Sequence, residues 1–252
     1  MSSLTRYGVD VSEHQSAIDW EKVKTAGKSF AMVRAGYGKT EDKMFVSHFV
    51  GAVRAGLHAG VYWFCYAKDA SDAKEETAAC LKTIAPFKKS IDMPVAYDFE
   101  ADTLTNAAKQ GVTITKATGT AICKTFADAV AEAGYIPAIY TGQAYTSSYI
   151  DMTQLKAELW NAAWASYDPP IKSNSHRWPM WQYTVLQPTG NLFPGYTRGS
   201  VDGINGSVDL DVCYVDYPAL YAEKDVPRPA AQYITLAMLK ELGYDGVIIP
   251  TK

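Results

Sequence analysis

The chain lacks the usual marks of a stapled, membrane-spanning or polyanion-binding protein. Its four cysteines, Cys65, Cys80, Cys123 and Cys213, are widely spaced and form no C-x-x-C pair. Neither a zinc site nor a redox pair is encoded, and at this length buried free thiols are expected rather than a disulfide framework. No apolar run approaches the roughly 20 residues of a membrane helix. The opening Met1-Ser2-Ser3-Leu4-Thr5-Arg6-Tyr7-Gly8 has no hydrophobic stretch of the secretory type. Neither sign of charge dominates: 24 Lys and Arg against 27 Asp and Glu leave a net charge of −3. That balance gives no general attraction to nucleic acid or to an anionic membrane, so neither is an expected partner. Calcium-loop spacing is absent and His14 has no second histidine at ligand spacing, so no metal and no cofactor are expected.

What is present suits a large core. The 252 residues are 48% hydrophobic and 20% charged, enough for one main domain of the barrel or open α/β kind. Short β-rich runs alternate with helical patterns. Strands are expected at Tyr7 to Val11, Phe30 to Arg34, Gly60 to Tyr66, Met93 to Phe99 and Ile136 to Tyr140. Helices are expected between them at Ile18 to Ala26, Met44 to Ala55, Ser71 to Phe87 with Ser71 as N-cap, and Ile114 to Ala133 before Gly134. After this the rhythm changes. Leu159 to Trp164, Met180 to Thr184 and Val208 to Val212 read as strands joined by segments rich in Pro, Gly, Asn and Ser. The expected fold is an α/β protein of irregular, TIM-like β/α-barrel form, with five regular units followed by three strands with little helix between them.

The chemistry-bearing residues are acids near strand ends. In Pro94-Val95-Ala96-Tyr97-Asp98-Phe99-Glu100, alternation puts Asp98 and Glu100 on one face, about 7 Å apart at the backbone, two residues at ~3.3 Å each. One carboxyl can protonate a glycosidic oxygen while the other supports the positive charge developing on the sugar ring. The bland alternative is a solvated strand end. Barrels place functional residues at the C-terminal ends of strands, and Asp10, Asp98 with Glu100, and Asp209 are read as late in theirs. Converging on one cleft, such carboxyls repel one another, which raises at least one pKa and leaves a proton donor available near neutral pH. Asp211 shares the parity of Asp209, so parity alone does not choose between them.

Aromatic and basic residues supply candidates for holding substrate. The chain has 17 Tyr and 6 Trp, whose flat faces suit sugar rings and cores equally. Tyr62 is a cleft candidate on the third strand. Tyr140, Trp164, Trp181 and Tyr183 lie at later strand ends and form a candidate sugar-stacking wall. Arg34 ends the second strand and is a candidate partner for a cleft carboxylate, with a structural ion pair as the alternative. His14 is either a substrate contact or a loop-orienting hydrogen bond.

On these residues the chain resembles the family 25 glycoside hydrolases, the lysozyme or muramidase family. The resemblance is carried by Gly8-Val9-Asp10-Val11-Ser12-Glu13-His14-Gln15, Tyr97-Asp98-Phe99-Glu100, Ile139-Tyr140-Thr141, Trp181-Gln182-Tyr183 and Val208-Asp209-Leu210-Asp211, and spans about residues 6 to 217. It implies cleavage of the β-1,4 bond from N-acetylmuramic acid to N-acetylglucosamine in bacterial peptidoglycan. It places Glu100 on the general acid and Asp98, Asp10 and Asp209 on supporting acids. The family pattern sets its acid directly after the valine, which selects Asp209, and often has an amide where this chain has Asp211. Family 18 chitinases also end a strand in D-x-E, but their longer pattern needs an acid where this chain has Ala96. Asp98 has two possible roles: direct nucleophile, or support for attack by the substrate's own 2-acetamido oxygen. Launch of both carboxyls from one strand face favours the second.

Residues 1–217 are thus expected to be the catalytic barrel. Residues 218–252, punctuated by Pro218, Pro227 and Pro229, are expected to be a linker and short appendage, a truncated wall-binding module being one form of it. The opening sequence fits release as a phage endolysin, or a trimmed secreted autolysin acting on the cell wall. A non-catalytic glycan-binding barrel is the alternative function, and a divalent-cation site made by the acids is a third.

Overall fold

The computed structural model describes residues 5–163, 178–184, 199–223, 234 and 236–244. In chain order its main elements are β1 (Arg6–Val11), α1 (Trp20–Thr25), β2 (Phe30–Tyr37), the two-residue β3 (Thr40–Glu41), α2 (Phe45–Arg54), β4 (His58–Phe64), α3 (Ala70–Ile84), β5 (Val95–Asp98), α4 (Ala101–Lys109) and α5 (Lys116–Glu132). There follow β6 (Pro137–Gly142), α6 (Gln143–Ser148), β7 (Glu158–Ala162), β8 (Met180–Gln182), β9 (Asp209–Cys213), α7 (Tyr217–Glu223) and α8 (Leu236–Glu241).

Eight strands close into a barrel in the order β1-β2-β4-β5-β6-β7-β8-β9, with β9 returning to β1; β3 hangs as a hairpin on the edge of β2. Strands β1 to β8 of the barrel run parallel to their barrel neighbours, but β9 runs antiparallel to both β8 and β1. Alternation sorts the side chains. Val9, Val11, Val33, Val61 and Val95 join the core between barrel and helices, where Tyr97 stacks on Phe126 of α5 at 4.2 Å. Phe30, Met32, Tyr140, Trp160, Met180 and Cys213 fill the barrel itself. Gly8 is needed for that filling, because a Cβ there would lie 2.5 Å from the Phe30 ring. All four cysteines are buried and free, in keeping with the composition.

Some local expectations need correction. The N-cap of α3 is Asp69, whose carboxylate accepts from Asp72 N at 2.9 Å, rather than Ser71. Helix α4, absent from the sequence reading, starts immediately after Glu100. Helices α7 and α8 fall in or beside the stretch expected to be linker and appendage, and Leu239 of α8 is buried in the core around the barrel. Tyr217 and Tyr221 of α7 join the barrel interior, and Tyr221 Oη accepts from Ile136 N at 2.9 Å and donates to Met93 O at 3.3 Å. Beyond α8, Tyr244 donates to Glu41 at 3.0 Å and its ring lies 6.4 Å from that of Phe87.

One core contact makes stability depend on pH. Glu76 of α3 is buried, accepts from Tyr97 Oη at 2.6 Å and from Tyr66 N at 3.2 Å, and burial pushes its pKa up to about 7. A carboxyl raised in the folded state stabilises fully below its unfolded value near 4.5 and loses that contribution as pH rises through about 7. At ~1.4 kcal/mol per unit, this component is on the order of 3 kcal/mol. Glu76→Gln is expected to flatten the fall in melting temperature between those pH values; an unchanged slope would refute the assignment.

Candidate active site

A cavity of about 200 Å³ opens at the mouth formed by the C-terminal ends of the parallel strands, and Asp10, Asp98, Glu100 and Asp209 all line it. Asp209 arrives by a different route from the one its sequence position suggests. It is the first residue of β9, not a late one, and reaches this mouth because β9 runs the other way and pairs Asp209 with Asp10. Asp211, two residues deeper on the same face, is fully buried beneath.

Asp98 ends β5 and Glu100 follows in extended backbone as the N-cap of α4, with Phe99 between them buried in the outer core. Glu100 N donates to Thr103 Oγ1 at 3.2 Å, and that hydroxyl donates to Cys65 O at 2.7 Å, which fixes the turn against the end of β4. The two carboxyls line the same cavity as neighbours, close enough for each to shift the other's ionisation. Burial, foremost, raises both pKa values, and for Asp98 the neighbouring charges of Glu100 and Asp10 add to it. The pair therefore holds a proton to higher pH than ordinary carboxyls do. Asp98 Oδ1 is buried and meets no hydrogen-bond partner among the described residues.

Asp10 is held from the side by a directed chain: Tyr140 Oη donates to Gln182 Oε1 at 2.8 Å, and Gln182 Nε2 donates to Asp10 Oδ2 at 2.9 Å. Burial pushes the Asp10 pKa up to about 6 despite these bonds. Arg34 also lines the cavity, but its ion pairs are structural: Nε reaches Asp42 at 2.7 Å and Nη2 reaches Glu13 at 3.2 Å. His14, Tyr62 and Tyr140 are on the cavity wall.

The candidate aromatic wall is only partly assembled. Trp181 and Tyr183 flank Gln182 and point the other way, packing with Val212 on the outside of the barrel, so they do not line the cavity. Trp164 lies outside the described residues. In their place the cavity uses Trp160 and Gln182, which the sequence reading missed. Alternation in Trp181-Gln182-Tyr183 did contain the signal, since one polar residue must face opposite two aromatics.

Fold and site together define a closed β/α barrel with paired acids at one mouth. The chain belongs to the glycosyl hydrolases family 25, whose family model matches residues 9–191. Lysozyme M1 of Streptomyces globisporus is 28% identical over 207 residues, covering 80% of this chain and 65% of that protein. The autolytic lysozyme of Clostridium acetobutylicum is 27% identical over 206 residues, covering 81% and 54%. Among solved structures, the modular autolysin LytC from Streptococcus pneumoniae superposes with a TM-score of 0.67 at 25% identity, covering 83% of this chain and 47% of that one. This chain thus spans about half to two thirds of the length of these relatives.

Proposed function

We propose that the barrel is a muramidase, cleaving the β-1,4 bond from N-acetylmuramic acid to N-acetylglucosamine in bacterial peptidoglycan at the cell wall. The observation that carries this reading is the neighbouring pair of buried Asp98 and half-buried Glu100, both lining the cavity. Glu100 is the general acid. Asp98 supports attack by the substrate's acetamido oxygen, because the two carboxyls sit side by side rather than on opposite walls with a water between them. The Asp98 carboxyl lines the cavity and accepts the acetamide N–H there. That bond favours ionised Asp98, which moves the shared proton onto Glu100 as the substrate seats. Asp10 and Asp209 shape the field around the reacting carbon. Tyr62 and Tyr140 are the wall against which a sugar ring packs, and Arg34 stiffens the rim through Glu13 and Asp42. The catalytic unit includes α7, which closes the lower end of the barrel.

The test is a digest of purified peptidoglycan with borohydride reduction and mass spectrometry of the new ends. Reduced muramic acid is the expected product. Reduced glucosamine would reassign the bond, and soluble peptides without new reducing sugars would reject glycoside cleavage.

A further inference from the structure

Asp211 is a second carboxyl beside Asp10, on the interior face of β9 one layer below the cavity and with no exposed surface, since β9 pairs Asp209 with Asp10 and Asp211 with Gly8 on β1. Donors of fixed direction hold the pair at both ends. Tyr140 occupies the carbonyl oxygen of Gln182, which turns the amide nitrogen toward Asp10 Oδ2. Trp160 Nε1, which can only donate, gives its proton to Asp211 Oδ1 at 2.8 Å. The remaining oxygen, Asp211 Oδ2, is buried and receives no donor among the described residues. A carboxylate oxygen stripped of water and donors, beside a second carboxylate, is strongly disfavoured. Asp10 has an amide donor and an edge on the cavity, so charge belongs there and the proton belongs on Asp211.

We propose that Asp211 is a positioning residue that keeps a proton on Oδ2 and donates it to Asp10, holding Asp10 ionised and turned toward the cavity. The surrounding groups favour this arrangement. Burial, then the charge of Asp10, keeps the Asp211 pKa well above the ordinary range, and Asp209 on the same strand adds to the effect. Across the barrel Asp98 on β5 contributes further negative field when ionised, Arg34 on β2 is engaged by Asp42 and Glu13, and Tyr62 and Cys213 stay neutral. An amide at this position would supply the same N–H to Asp10, whereas an apolar residue would not.

The effect on turnover rests on the muramidase reading, but the proton can be read without it. Infrared difference spectra of wild type and Asp211→Asn at about pH 7.5 should show the loss of one protonated-carboxyl C=O band; an unchanged band would overturn the proposal. In kinetics, Asp211→Asn should stay within about threefold of wild type, while Asp211→Leu should lose about 10- to 100-fold in kcat at nearly constant KM, the size of one hydrogen bond to a charged group. Asp211→Asn as slow as Asp211→Leu would also overturn it. If wild type itself releases no reducing sugar, the muramidase reading fails while the infrared result still decides the proton.

Discussion

Glu100→Gln is expected to lower turnover on peptidoglycan by roughly 10²- to 10⁴-fold while glycan affinity changes little. Glutamine keeps the side chain's shape and its hydrogen-bonding capacity, but it has no carboxylic proton to give to the leaving oxygen. That proton matters in the transition state far more than in the bound ground state. A substrate with an activated leaving group, such as a nitrophenyl glycoside, needs little protonation and should recover much of the loss. Near-wild-type turnover of Glu100→Gln on intact peptidoglycan would remove Glu100 from the chemistry.

Asp98→Asn should slow the same reaction by about 10²- to 10³-fold, the scale of removing one charged group aimed at a developing charge. Here the activated leaving group should give little rescue, because the defect lies in stabilising the acetamido-derived cation. The pH profile should move as well. The two carboxyls repel each other when both are ionised, so with an amide at position 98 Glu100 stands as a single carboxyl and gives up its proton at lower pH than the pair gives up its shared one. The alkaline limb is expected to shift downward. Equal rescue of both variants, or an alkaline limb shifted upward, would overturn the division of roles.

The sequence carried much of this site, for physical reasons that can be traced residue by residue. Asp98 and Glu100 were legible because two acids at i and i+2 on a strand must share a face. The five-unit rhythm was legible because apolar period and capping residues agree over each segment. Asp209 was chosen for the right mouth on the wrong ground, since nothing local in Val208 to Val212 reveals that β9 runs antiparallel to its neighbours. Direction is decided by the closure of the whole barrel. Trp181 and Tyr183 were grouped with the cleft by their place along the chain, although period-2 alternation turns them outward and Gln182 inward. Helix α4 was hidden because Glu100 serves at once as a cleft acid and as the N-cap of the helix, and its partner Thr103 bonds back to Glu100 N.

Closure through β9 also sets the order of events during folding. Arg6 and Asp216, which bond across the seam, are separated by 210 residues, and Gln182 meets Asp10 across 172. Contacts of such long range carry a large loop-closure entropy and form late, after local β/α units have condensed. On the ribosome the first strand must wait for almost the entire barrel to be synthesised before its second neighbour emerges. A nascent chain that has folded β5 already carries Asp98 and Glu100, yet it has no Gln182 to hold Asp10 and no Asp211 to protonate beside it. The pocket is therefore completed only when β8 and β9 join, and a chain interrupted before them holds Asp10, Asp98 and Glu100 without Asp209 or the residues that tune them.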